Sequence, residues 1–91
     1  MSQQGEKPWF TYLLRCADST LYCGVTNDIR RRLEAHRSGR ASRYTCCRLP
    51  VRLVCISGPM EKPEAFRLER KIKLLPRRLK VKALREHGPK E

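Results

Sequence analysis

Two aromatic, apolar stretches near the start of the chain, residues 9–16 and Leu21–Thr26, flank the turn-forming run Ala17-Asp18-Ser19-Thr20. Aromatic and β-branched residues suit a pleated, half-buried surface, and Asp and Ser favour turns, so the pattern is that of a β-hairpin. A hairpin commits the fold to antiparallel pairing. Loop length then decides where its side chains point. Successive residues face opposite sides of a sheet, so Tyr12 and Tyr22 share a face only if the loop holds an odd number of residues. A three-residue loop over residues 17–19 sets Tyr22 opposite Leu14, with Tyr12 one diagonal step away. An even loop sends the two phenols to opposite faces.

The 91 residues leave room for one small domain. We read residues 1–8 as a flexible N-terminus, 9–88 as the domain and 89–91 as a C-terminal tail. After the hairpin, Asn27 is a good N-cap for a helix that runs to about Ser38 and stops at Gly39. Ile29 and Leu33 form its apolar stripe; Arg32 and His36, four apart, flank it. Residues 39–50 read as an arginine-rich loop that also holds Tyr44. A third strand over residues 51–57 has apolar residues on both faces, which predicts substantial burial. Pro63 suits the first turn of a second long helix, where Ala65, Leu68, Ile72 and Leu75 make one stripe with Glu69 at its edge. Pro76 ends that helix, and residues 77–87 form a shorter basic one before Gly88-Pro89. The order is strand, strand, helix, strand, helix, helix, an α+β class.

Formal net charge is +12, unevenly placed. Residues 1–29 carry two bases against three acids; residues 30–91 carry nineteen against six. A basic body behind a near-neutral hairpin predicts a polyanionic partner, most simply nucleic acid. A structural RNA-associated protein has the same composition. Five cysteines without a Cys-x-x-Cys pair argue against a zinc ribbon, and their odd number without a secretory signal predicts reduced thiols in the cytosol. No apolar run approaches membrane-spanning length, so no membrane partner is expected.

The segments Thr11-Tyr12-Leu13 and Tyr22-Cys23-Gly24, then Arg32, His36 and Glu69, resemble the GIY-YIG nuclease domain over residues 9–75. The resemblance is strongest to the small stand-alone bacterial, YhbQ-like group. It implies a small three-stranded antiparallel sheet with the first strand central and helices packed around it. It implies a metal-dependent endonuclease that hydrolyses DNA phosphodiester bonds with one Mg²⁺ or Mn²⁺ ion, in repair or recombination, in the bacterial cytoplasm or at the nucleoid. With no room for a separate DNA-binding domain, specificity would come from DNA shape, branched or single-stranded, or from a partner protein.

Family spacing implies a role for each residue. Arg32, ten residues after Tyr22, matches the catalytic arginine, and its fork suits phosphate at any working pH. His36 falls where relatives carry His or Tyr. Glu69 matches the metal-binding glutamate. Tyr12 and Tyr22 are base or water-orienting candidates, although a free phenol, with a pKa of about 10, is a poor base unless cations depress it. Gly24 gives close approach to backbone or phosphate, or a local kink. Some relatives carry a lysine where this chain has Val25. Arg30, Arg40, Arg43, Arg48, Arg77 and Arg78 are the candidate phosphate contacts, with binding that weakens steeply in salt.

Taken singly, each residue has an ordinary reading: packed strand tyrosines, a solvated Arg32, a His36 snorkelling near a helix end, and a Glu69 paired with Lys73 for a few tenths of a kcal/mol, about 0.2–0.5. Taken together they predict five side chains converging on one shallow, solvent-reachable face. The alternative from another class is a non-catalytic nucleic-acid-binding module that keeps the nuclease fold.

Overall fold

The computed structural model describes residues 7–88. Its elements are β1 (Phe10–Arg15), β2 (Leu21–Thr26), α1 (Ile29–Arg37), α2 (Arg43–Cys46), β3 (Arg52–Ile56), α3 (Lys62–Lys73) and α4 (Arg77–Arg85). The three strands form one antiparallel sheet in the order β2-β1-β3, with β1 central as the resemblance implies. The ends at 1–6 and 89–91, which take in most of the expected flexible start and the tail, lie outside the described residues.

The hairpin has the odd loop. Leu14 pairs with Tyr22 and Tyr12 with Gly24, so both phenols point to one side. The turn closes because Asp18 Oδ1 accepts from both the backbone N–H and the hydroxyl of Thr20, at 3.1 and 2.6 Å. Ser19 takes the left-handed conformation, φ 71°, that three-residue hairpin loops require at their last position.

Alternation divides the sheet's side chains between two cores. Leu13 and Cys23 face α3 and α4, where they meet Leu68, Ile72 and Leu84. Tyr12 and Leu14 face the opposite way, with Cys16, Val51 and the α1 residues Ile29 and Leu33. Fully burying aliphatic side chains such as Leu13, Ile72 and Leu84 contributes about 1.5–3 kcal/mol each.

Several local expectations change. The N-cap of α1 is Asp28, not Asn27; its carboxylate accepts from the Arg31 N–H at 3.2 Å. The loop at 39–50 contains the single-turn helix α2, started by Ser42, whose hydroxyl accepts from the Tyr44 N–H. One turn is too short to leave a periodic signature. β3 is less buried than its composition predicts, with Arg52 and Leu53 exposed, because it is an edge strand rather than a central one. Leu75 packs on the core from beyond the end of α3. Helix α3 itself starts with a reciprocal Glu61–Glu64 capping box. At its other end the Lys80 ammonium donates to the carbonyls of Ile72 and Lys73, placing a cation at the negative pole of the helix.

Candidate active site

The α1 face of the hairpin carries the two phenols, their ring centres 6.5 Å apart. Tyr12 lies flat enough over its cross-strand partner that a Cβ at Gly24 would sit 2.4 Å from the phenol oxygen and 2.6 Å from Cζ. Gly24 therefore makes room for the Tyr12 ring, rather than for a phosphate or a kink.

Tyr12 is buried, and so is His36, the only buried residue of α1. The Tyr12 hydroxyl meets His36 Nε2 at 2.9 Å, and His36 Nδ1 meets Thr45 Oγ1 on α2 at 2.9 Å. His36 is thus no snorkelling side chain: the hairpin closes on one ring nitrogen and α2 on the other. The expected shallow face is correspondingly deeper, with these two groups in the interior. Tyr22 is half-buried. Its ring stands 5.2 Å from His36 and 5.8 Å from Tyr44. Tyr44 is covered in turn by the Arg48 guanidinium, 3.9 Å from its ring centre.

Arg32, one helical turn before His36, lies beside both phenol oxygens. Tyr12 chiefly, then Tyr22, strengthens its hold on its proton and raises its pKa further. Among the described residues its Nε is buried without a hydrogen-bond partner. Such a donor costs about 1–3 kcal/mol, and native chains keep few of them without a functional reason.

Burial pushes the Tyr12 pKa up to about 12, with Arg32 opposing only part of the effect. Burial, helped by the Arg32 charge, pushes His36 down to about 4. The resting site is therefore a neutral phenol against a neutral imidazole, beside a permanent cation. A pH dependence of stability follows. An unfolded histidine titrates near pH 6.5. Between about pH 6.5 and pH 4 the unfolded chain binds a proton that folded His36 refuses, so acidification through this window favours unfolding. The urea midpoint is expected to fall from pH 7 to pH 4.5, and the fall to shrink in His36→Gln. Equal pH slopes in the two proteins would contradict the assignment.

Glu69 lies elsewhere. It belongs to α3, on the Leu13–Cys23 side of the sheet, and its carboxylate meets Lys73 Nζ at 3.2 Å. Its charge is felt at the buried Cys23 thiol, which burial first and Glu69 second push up to about 12. Cys23 stands between Tyr22 and Gly24 on edge strand β2. Glu69 and Tyr22 therefore flank the same edge strand from opposite faces. The structure brings four of the five residues together and leaves the fifth across β2. Among the described residues no three His, Cys, Asp or Glu side chains cluster to hold a metal. A lone, partly exposed carboxylate fits a hard cation that keeps most of its waters and takes its remaining oxygens from a phosphate.

The six candidate arginines divide similarly. Arg48 pairs with Asp18 at 2.9 Å and donates to the Tyr44 carbonyl at 2.8 Å. Arg77 donates through Nε to the Ser19 carbonyl at 3.1 Å. Both hold the hairpin turn. Arg30, Arg40, Arg43 and Arg78 are exposed, with no side-chain partner among the described residues. Thr45 and Tyr44 are the residues that sequence reasoning missed. Tyr44 was visible as an aromatic among arginines, while nothing in the sequence marks Thr45.

The profile of the GIY-YIG catalytic domain matches residues 8–82. A UPF0213 protein of Nitratidesulfovibrio vulgaris is 47% identical over 85 residues, covering 93% of this chain and 77% of that one. Another, from Streptococcus agalactiae, is 40% identical over 80 residues, covering 88% and 91%. The solution NMR structure of a UPF0213 protein from Bacillus halodurans aligns with a TM-score of 0.53 at 38% identity, over 88% of this chain and 85% of that one. The same tyrosine hairpin and helix that build the buried phenol–imidazole pair fall inside the matched span, and the chain belongs to the GIY-YIG catalytic-domain family, among its small UPF0213 members.

Proposed function

We propose that the protein is an endonuclease that hydrolyses phosphodiester bonds in DNA, with one Mg²⁺ or Mn²⁺ ion as cofactor and branched or single-stranded DNA as its target. The observation that carries this reading is the guanidinium of Arg32, set beside two phenols and carrying a buried, unpartnered Nε, in a family of nuclease domains. Membership suggests the reaction class; metal, substrate and site roles are our own reading.

In this reading the scissile phosphate lies across the outer edge of β2. Arg32 grips a non-bridging oxygen and stabilises the charge that builds in the transition state. Tyr12 does not act as a base, because its proton stays on the phenol oxygen, directed at His36. Tyr22, the half-buried phenol, orients the attacking water. Glu69 would hold the cation, which when bound would neutralise phosphoryl charge. Lys73, the exposed member of the pair, gives way readily, since i,i+4 helix pairs contribute only about 0.3–0.5 kcal/mol. Arg30, Arg40, Arg43 and Arg78 offer free charge to the flanking backbone. Specificity beyond DNA shape falls to a partner protein.

One observation favours a second reading, a binding module without catalysis: Glu69 is paired with Lys73, and among the described residues it belongs to no group of three metal-ligating side chains. Cleavage of nicked, branched and single-stranded DNA with Mg²⁺ or Mn²⁺ separates the two. The endonuclease reading expects cutting by the wild type, with Glu69→Gln and Tyr22→Phe each lowering it by at least about 100-fold, in the range that positioned catalytic groups supply, while DNA binding is kept. Metal-dependent cutting that neither substitution touches, or none on any substrate, leaves the binding module.

A further inference from the structure

Thr45 sits on the single turn of α2, fully buried, and is the sole partner of His36 Nδ1 among the described residues. Its hydroxyl has one proton to give. Besides the imidazole, the other acceptor in reach is the Ser42 carbonyl, at 3.4 Å, a group that cannot donate. With its proton given to Ser42, Thr45 Oγ1 can only accept from His36, so Nδ1 carries the imidazole proton. Nε2 is then the acceptor, and the Tyr12 hydroxyl must donate to it across 2.9 Å. The cation next door points the same way. Arg32 beside the phenol oxygen needs lone pairs there, which a phenol donating elsewhere leaves free. The opposite tautomer would crowd two donors, Nε2–H and the guanidinium, onto one phenol oxygen.

We infer that Thr45 is a positioning residue: from α2 it fixes the His36 tautomer, and through it the direction of the Tyr12 O–H and the oxygen lone pairs presented to Arg32. The consequence for cleavage rests on the endonuclease reading. The tautomer does not, so the two can fail separately.

The full-length chain, ¹⁵N-labelled, is examined at pH 7 by long-range ¹H–¹⁵N correlation of the imidazoles, as wild type, Thr45→Val and Thr45→Ser. In the wild type Nδ1 of His36 is expected at the protonated position and Nε2 at the unprotonated one. Thr45→Val removes the acceptor and should move both nitrogens toward averaged or reversed values; Thr45→Ser should restore the wild-type pair. Outer partners that orient metal-bound histidines are worth about 10- to 100-fold in activity, and Thr45 holds the His36 ring in the same way. Cleavage by Thr45→Val is expected to fall by that factor and by Thr45→Ser to stay within about threefold. A wild-type His36 protonated on Nε2 overturns the proposal, even if Thr45→Val fails to fold. So does a folded Thr45→Val that keeps the Nδ1–H tautomer. A protein that cuts no substrate yet shows the expected tautomers sinks the endonuclease reading alone.

Discussion

Arg32→Ala is expected to lower cleavage by about 100- to 1000-fold, the range for removing one preorganised donor from a developing oxyanion. Its stability should scarcely fall. A half-buried arginine normally loses packing and bonds on truncation, but this one keeps a buried Nε without a partner among the described residues, and removing an unsatisfied donor offsets the lost contacts. Arg32→Lys keeps the charge and loses the fork, so it should recover only a small part of the activity. The histidine reports the same change. Arg32's charge is one of the two causes holding His36 low, so Arg32→Ala should raise the His36 pKa above about 4, as an NMR titration would read. Cleavage of labelled DNA and thermal melting of the same samples complete the test. An Arg32→Ala protein that cuts normally would remove the arginine from the chemistry, and one that melts many degrees lower would make it a structural residue.

Gly24→Ala is the second large effect, and it acts on the fold first. A methyl group there would have to share space with Tyr12 Oη and Cζ, at 2.4 and 2.6 Å. The ring cannot swing far, because its hydroxyl is tied to His36 in a packed interior. Overpacking of this kind costs about 1–3 kcal/mol, and any ring movement that relieves it breaks the bond to His36. The urea midpoint should drop accordingly, and activity should fall more than stability explains. A double-mutant cycle isolates the cause: in a Tyr12→Ala background the added methyl should cost almost nothing. If the cost of Gly24→Ala is the same in both backgrounds, the phenol is not what the glycine accommodates.

These residues also show how far reasoning from sequence reaches here. The hairpin was legible as a hairpin, but its register was not, because the turn residues left odd and even loops open. The Asp18–Thr20 bonds and the left-handed Ser19 select the odd loop, and two-residue alternation then puts both tyrosines on one face. Helix α3 was legible because its apolar stripe repeats over a dozen residues, while α2 was not, since a single turn has no period. Glu69 shows a different limit. Its place on the helix was evident, but its position relative to the phenols depends on which face of the sheet α3 covers, and that is decided by Leu13 and Cys23 packing on Leu68 and Ile72. Thr45 and Gly24 were opaque for a common reason. Each matters through one contact with a residue more than eight positions away, and no local pattern encodes such a contact.

The hairpin turn is gripped from two sides, by Arg48 through Asp18 and by Arg77 through the Ser19 carbonyl. Cations engaged in this way are already spent within the molecule. A polyanion that recruited them would have to loosen the corner joining the two tyrosine strands, so tight, indiscriminate adhesion would come at the expense of the site itself. Formal charge thus overstates the grip this surface can exert, and the lysines and arginines not engaged in this way set how many counterions are released on binding.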